Sequence, residues 1–295
     1  MASPGANRYA ELLRSAPKMV DMTLSDQRAA GEHAEDLTAE PENVAWEPID
    51  DQGVRGLWAI PEEADAERAV LYLFGGGHVI TSIHARRKFG GHLARATGCR
   101  VMIADYRLAP EHPFPADVDD ALAAYRWLRD RWPPGALVVG GESSAAGLTM
   151  STLVALREAG ETFPTTGFLL SPWLDLACTG ETHLTRRDDD LTCTTESLQR
   201  MASQYLDGHD PHDPRVSALD ADLSGMPPLF VQAGGHEILL DDAVRVVRRA
   251  GMQGTPATLE IWPEMQHFFQ VCVGAFPEAQ EALTSLGSWL RDRRA

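Results

Sequence analysis

The chain has 295 residues, 44% of them apolar, with 43 acidic residues against 26 Lys and Arg, a net charge of −17 and a pI near 4.9. That length can bury a large core, in one α/β domain or two smaller ones, and that charge repels nucleic acid and anionic membranes, so neither is expected as a partner. Cys99, Cys178, Cys193 and Cys272 form no CxxC pair, which argues against a disulfide framework or a zinc site.

The opening MASPGANRYAELL lacks a basic stretch followed by an apolar run, so no signal peptide is expected. No apolar run approaches the roughly 20 residues of a membrane-spanning helix. A soluble, cytoplasmic protein is expected. Residues 1–43 are polar and helix-leaning: ANRYAELLRSAP has apolar positions at helical spacing, and SDQRAAGEHAED has few apolar residues at all. Such a segment cannot form a core alone and is expected to lie over something else.

From residue 44 the pattern changes. VAWEPI and VRGLWAI, separated by Asp50-Asp51-Gln52-Gly53, predict two strands and a short turn. Buried strands are predicted at Ala69–Phe74, Val101–Ala104, Ala136–Val139, Gly167–Leu170, Leu229–Ala233 and Thr258–Trp262. Helices are predicted over Asp117–Arg129, Leu148–Glu158 and Asp242–Ala250. Alternating helices and continuous apolar strands predict an α/β fold with a mostly parallel sheet covered on both faces. Functional groups in such folds gather at the carboxyl ends of the strands.

The informative residues fall at those ends. The Ala136–Val139 strand runs into GGESSAAG (140–147), which puts Ser143 on a sharp strand-to-helix turn among small neighbours. A following helix points its free N–H groups at that serine, where an oxyanion would form. The Ala69–Phe74 strand ends in Gly75-Gly76-Gly77-His78, whose backbone N–H groups can turn toward a ligand. Neither a phosphate-loop nor a dinucleotide-loop pattern is present. His267 follows the Thr258–Trp262 strand, within reach of a serine on the same sheet edge as general base. After the Leu229–Ala233 strand come Glu237, Asp241 and Asp242 as candidates for the acid that orients it. Glu237 lies nearest the strand end and ranks first, with Asp241 second, because Asp241 and Asp242 suit the first turn of the next helix.

Other charged clusters have plainer readings. His209-Asp210-Pro211-His212-Asp213 meets no zinc spacing and is expected to be a Pro-punctuated loop. Asp188-Asp189-Asp190 is expected to be a solvated loop. Arg86-Arg87-Lys88, after the glycine loop, could steer an acidic substrate, but the exposed face of a helix start is the favoured reading.

The stretches LYLFGGGHVI, DYRLAPEHPFPA, GESSAAG, SPWLDL, EILLDD and WPEMQHFF together resemble the hormone-sensitive-lipase-like (bacterial family IV) esterases of the α/β-hydrolase superfamily, from about residue 44 onward. DYRLAPEHPFPA (105–116) is the most specific piece. The resemblance implies an α/β-hydrolase domain over 44–295 and an N-terminal helical cap over 1–43. It implies a catalytic triad of Ser143, Glu237 and His267, and an oxyanion hole from the N–H groups of Gly76, Gly77 and Ser144. No cofactor or metal is implied; the partner is a small-molecule ester and the enzyme a monomer or homodimer. Two departures stand out: Phe74 occupies the place of the family's loop histidine, and Ser144-Ala145-Ala146 that of Ala-Gly-Gly. The first removes a side-chain brace from the loop; the second adds a methyl to the turn at Ala145. Hydrolysis of short-chain carboxylic esters through an acyl-enzyme on Ser143 is therefore expected. A lactone hydrolase or deacetylase acting on a biosynthetic intermediate, and a weakly catalytic ligand-binding homologue, stay open beside it.

Overall fold

The computed structural model describes residues 1–293; Arg294 and Ala295, the end of the 44–295 stretch, lie outside the described residues. The expected strand pair is an antiparallel hairpin of β1 (Val44–Asp51) and β2 (Val54–Pro61). Gln52 and Gly53 turn it with φ of 54° and 81°, the positive values a two-residue hairpin loop requires.

Six further strands follow: β3 (Asp65–Leu73), β4 (Cys99–Ala104), β5 (Leu137–Glu142), β6 (Thr166–Leu170), β7 (Leu229–Gly234) and β8 (Ala257–Trp262). The sheet order is β1-β2-β4-β3-β5-β6-β7-β8, and every pairing from β4 to β8 is parallel. Strands β5, β6 and β7 are buried along their whole length, which is why they read as unbroken apolar runs.

The helices are α1 (Pro4–Ser15), α2 (Leu24–Gly31), α3 (Arg87–Thr97), α4 (Ala116–Arg129), α5 (Ser144–Glu158), α6 (Thr182–Thr185), α7 (Thr195–Leu206), α8 (Leu240–Met252) and α9 (Pro277–Arg291). Three predicted helices match α4, α5 and α8, although α5 starts four residues earlier than predicted, directly after Ser143. Helix α3 begins at the helix start expected around Arg86-Arg87-Lys88; α7 and α9 were not among those predicted, yet both carry readable signals. Pro277 opens α9, with Ala279, Ala282, Leu283, Leu286 and Leu290 on its buried face. Thr194 and Ser197 cap α7 reciprocally, a capping box with serine in the usual Glu or Gln position. No helix among the described residues is long and apolar enough to cross a membrane.

Residues 1–43 bury little of their own and are held by the rest of the chain. Ser3 bonds Glu278 through its N–H and hydroxyl at 2.7 and 2.8 Å. Arg28 forks onto Glu111 at 2.7 and 2.6 Å and also donates to the carbonyls of Val79 and Ala109. The buried Glu35 carboxylate accepts the N–H groups of Lys88 and Phe89, both at 2.7 Å, in the first turn of α3. Those donors have no partner within their own helix, so the carboxylate satisfies them and complements the helix dipole.

Candidate active site

Because β3, β5, β6, β7 and β8 run parallel, their carboxyl ends share one edge of the sheet, and each delivers a polar group there. Ser143 links β5 to α5 with φ 55° and ψ −125°, a backbone conformation costly for any residue but glycine. Backbone hydrogen bonds hold it: Ser143 N–H donates to the Leu170 carbonyl at 2.9 Å, and the Ser143 carbonyl accepts the N–H groups of Trp173 at 3.0 Å and Ala146 at 3.1 Å. The turn closes so tightly that a Cβ on Gly141 would come within 2.5 Å of the Ala145 carbonyl oxygen. The added Ala145 side chain is itself fully buried, taken up in the main core.

His267 Nε2 lies 2.9 Å from Ser143 Oγ, and His267 Nδ1 lies 2.9 Å from Glu237 Oε2. Of the three candidate acids, Glu237 is the one that reaches the histidine. Asp241 instead accepts Glu181 N–H at 3.0 Å and pairs with Arg245 at 3.1 Å. Asp242 accepts the N–H groups of Leu174 and Asp175. Both sit in the first turn of α8, where the sequence put them.

Several supporting residues escaped the sequence reading. Ser171, at the end of β6, donates its hydroxyl to Glu237 Oε1 at 2.6 Å and accepts Phe268 N–H at 3.0 Å, so one side chain orients both the acid and the histidine loop. Gly234 N–H also donates to Glu237 Oε1. Asp190 was expected in a solvated loop but is buried. It accepts the N–H groups of Thr192, Cys193 and Ile238, the last being the residue after Glu237. Only the strand-end position of Ser171 hinted at these roles.

The glycine loop after β3 is braced by its backbone. Gly75 N–H donates to Glu142 Oε1 at 2.6 Å, and His78 N–H donates to Ser144 Oγ at 3.1 Å. The two side chains flanking Ser143 thus each hold one end of the loop. Phe74, unable to brace by hydrogen bonds, stacks on Tyr106 with centroids 4.6 Å apart, and the Tyr106 hydroxyl donates to the Phe74 carbonyl. The His78 ring stacks on Tyr205 at 3.8 Å, and Asp117 accepts from both. Between these braces, the N–H groups of Gly76, Gly77 and Ser144 take no protein partner among the described residues. Gly76 has φ 132°, a value only glycine adopts freely.

Arg86 departs from expectation. It is 7% exposed, and its Nε donates to Glu142 Oε1 at 2.8 Å, with the guanidinium carbon 5.5 Å from the Phe268 ring centroid. Burial of its aliphatic stem and pairing with Glu142 overrode the tendency of a basic run to face solvent, whereas Arg87 and Lys88 stay partly exposed. The His209–Asp213 stretch is a loop whose histidines pair with Asp213 and Asp220.

Ser143, His267, Gly76 and Gly77 open into a cavity of about 480 Å³, largely apolar in lining, walled by Met201 and Phe268 and by Tyr9, Leu13, Met19 and Leu37 of the N-terminal segment. Burial draws the His267 pKa down, but the hydrogen bond and charge of Glu237, with the charges of Asp190 and Glu142, leave it above its ordinary value. The imidazolium that forms on accepting a proton is therefore stabilised. A serine hydroxyl bonded to such a base, facing unpaired N–H groups, can attack a carbonyl carbon.

Fold and site together define a hydrolase of the α/β-hydrolase class. The family model described as alpha/beta hydrolase fold matches residues 70–271. An acetyl-hydrolase of Streptomyces hygroscopicus is 42% identical over 235 residues, covering 79% of this chain and 78% of its own. An esterase of Acinetobacter venetianus is 34% identical over 84% of this chain and 83% of its own. The crystal structure of an esterase from the bacterial hormone-sensitive lipase family superposes with a TM-score of 0.95 at 39% identity over 100% of both chains. This chain belongs to the α/β-hydrolase family, among the hormone-sensitive-lipase-like esterases, and is a carboxylic ester hydrolase.

Proposed function

We propose that the enzyme cleaves short-chain carboxylic esters through an acyl-enzyme on Ser143. His267 takes the Ser143 proton as the hydroxyl attacks the ester carbonyl, and Glu237 orients the imidazole and stabilises its charged form. The N–H groups of Gly76, Gly77 and Ser144 bind the tetrahedral oxyanion, each such donor being worth about 3 kcal/mol of barrier. His267 then protonates the leaving alcohol, and water activated by the same histidine hydrolyses the acyl-enzyme. The observation that carries this assignment is the unbroken Ser143–His267–Glu237 chain, with both links at 2.9 Å.

Residues 1–43 act as a cap, supported by Tyr9, Leu13, Met19 and Leu37 lining the same cavity as Ser143. The cavity's modest size and the relative named acetyl-hydrolase favour a short acyl group. Cys99, Cys178, Cys193 and Cys272 form no disulfide among the described residues, which suits a reducing compartment, and we extend the proposal to a cytoplasmic monomer or homodimer.

Turnover of p-nitrophenyl acetate and butyrate, with fluorophosphonate labelling, tests the assignment. Ser143→Ala should abolish both signals; a variant that still turns over at the wild-type rate would sink it. Acetyl esters, lactones and acetamides compared side by side should place esters first.

A further inference from the structure

We propose that Arg86 is a substrate-binding residue that donates a hydrogen bond from Nη2 to a neutral oxygen on the substrate, an assignment that rests on the serine-hydrolase mechanism above. Arg86 lines the same cavity as Ser143 and His267, and the residue is more than nine-tenths buried. Its Nε is taken by Glu142 at 2.8 Å and its Nη1 by the Ala85 carbonyl at 3.1 Å. Nη2 has no partner among the described residues, yet it is not among the polar atoms sealed from solvent without one. It is therefore accessible, on a residue that lines the cavity. Phe268 presents its ring to the guanidinium, and none of the hydroxyls in the lining, Tyr9 and Ser197 among them, bonds Nη2. Lys18, the other cation of the lining, is exposed to solvent.

The charge balance selects the ligand class. The Arg86 charge is already answered by Glu142, and Glu35 also acts on it. Glu237 and Asp190 add buried acids near His267. A carboxylate on the substrate would compete with Glu142 for a guanidinium that is already paired. A neutral ether, hydroxyl or carbonyl oxygen gains the hydrogen bond without that competition. The fit is to esters carrying an oxygen in the acyl or alcohol chain, in preference to plain alkyl esters of the same length.

Matched pairs that exchange one methylene for oxygen test this: p-nitrophenyl methoxyacetate against p-nitrophenyl butyrate on the acyl side, and 2-methoxyethyl acetate against butyl acetate on the alcohol side. Wild-type kcat/KM should favour the ether member of at least one pair beyond the ratio of their alkaline hydrolysis rates. Arg86→Lys keeps the pairing with Glu142 but lacks Nη2. It should erase that preference by about tenfold, the order expected for a hydrogen bond to a charged donor; Arg86→Met should do the same. No excess preference in wild type for either pair, or a preference unchanged in both variants, overturns the assignment, and the wild-type comparison decides even if neither variant folds. Faster turnover of p-nitrophenyl hemisuccinate than of the methoxyacetate would overturn the neutral ligand class. Fluorophosphonate labelling, lost in Ser143→Ala and kept in the Arg86 variants, separates failure here from failure of the serine mechanism.

Discussion

Glu237 meets His267 with one carboxylate oxygen, 2.9 Å from Nδ1, while its other oxygen is held by the Ser171 hydroxyl at 2.6 Å. The acid is thus fully buried and fixed in orientation by its own partners. Replacing it by glutamine keeps the shape but removes the charge that stabilises the imidazolium. Glu237→Gln should lower kcat by about 10²- to 10⁴-fold. Asp241→Asn, which changes a carboxylate engaged with Glu181 and Arg245, should stay within a few-fold of wild type. Steady-state kinetics of the two variants decide between the acids, and equal losses would remove Glu237 from the triad.

The pH profile follows from the same contact. In the proposed mechanism His267 acts as base only when neutral, so activity should disappear as pH falls through its pKa. That pKa is raised above 6.5 because Glu237, with Asp190 and Glu142, outweighs burial, and the acid limb of kcat/KM should therefore lie above 6.5. In Glu237→Gln burial prevails, and the limb of the residual activity should move to lower pH. A profile from about pH 5 to 9 at constant ionic strength checks both directions.

Beside the N–H proposed for the oxyanion hole, Ser144 offers its hydroxyl oxygen, which accepts His78 N–H at 3.1 Å. Ser144→Ala leaves the backbone donor in place but strips the acceptor from the buried His78 N–H. An unsatisfied buried donor costs about 1–3 kcal/mol, spent here on loosening the glycine loop. The variant should lose roughly tenfold in kcat with little change in KM, since the loop matters most when the oxyanion forms. A rise in KM at constant kcat would instead assign the contact to substrate binding.

Glu35 ties the N-terminal segment to α3. In Glu35→Ala both the Lys88 and Phe89 N–H groups lose their acceptor. At about 2–3 kcal/mol for the pair, partly met by water, the midpoint of thermal unfolding should drop by roughly 4–6 °C. Calorimetry measures this directly. An unchanged midpoint would mean that the segment detaches without cost to the body.

Much of the architecture was legible because its causes are local. Unbroken apolar runs marked β5, β6 and β7, since strands buried on both faces carry no polar alternation. The turn at Ser143 and the loop at Gly75–Gly77 stood out because only small residues fit such geometry, and the order serine, acid, histidine followed from strands whose ends share one edge. The choice of Glu237 over Asp241 was a ranking from sequence and became a distance only in the folded chain, where helix α8 turns Asp241 toward Glu181 and Arg245. Arg86 and Asp190 were misread because a charged run normally lies in solvent, and the partners that bury them are distant in sequence: Glu142 is 56 residues from Arg86, and Ile238 is 48 from Asp190. Sequence determined which residues stand at the strand ends, through periodicity and small-residue turns. Tertiary structure alone decided which charges are buried and paired, because burial depends on contacts between residues far apart in the chain.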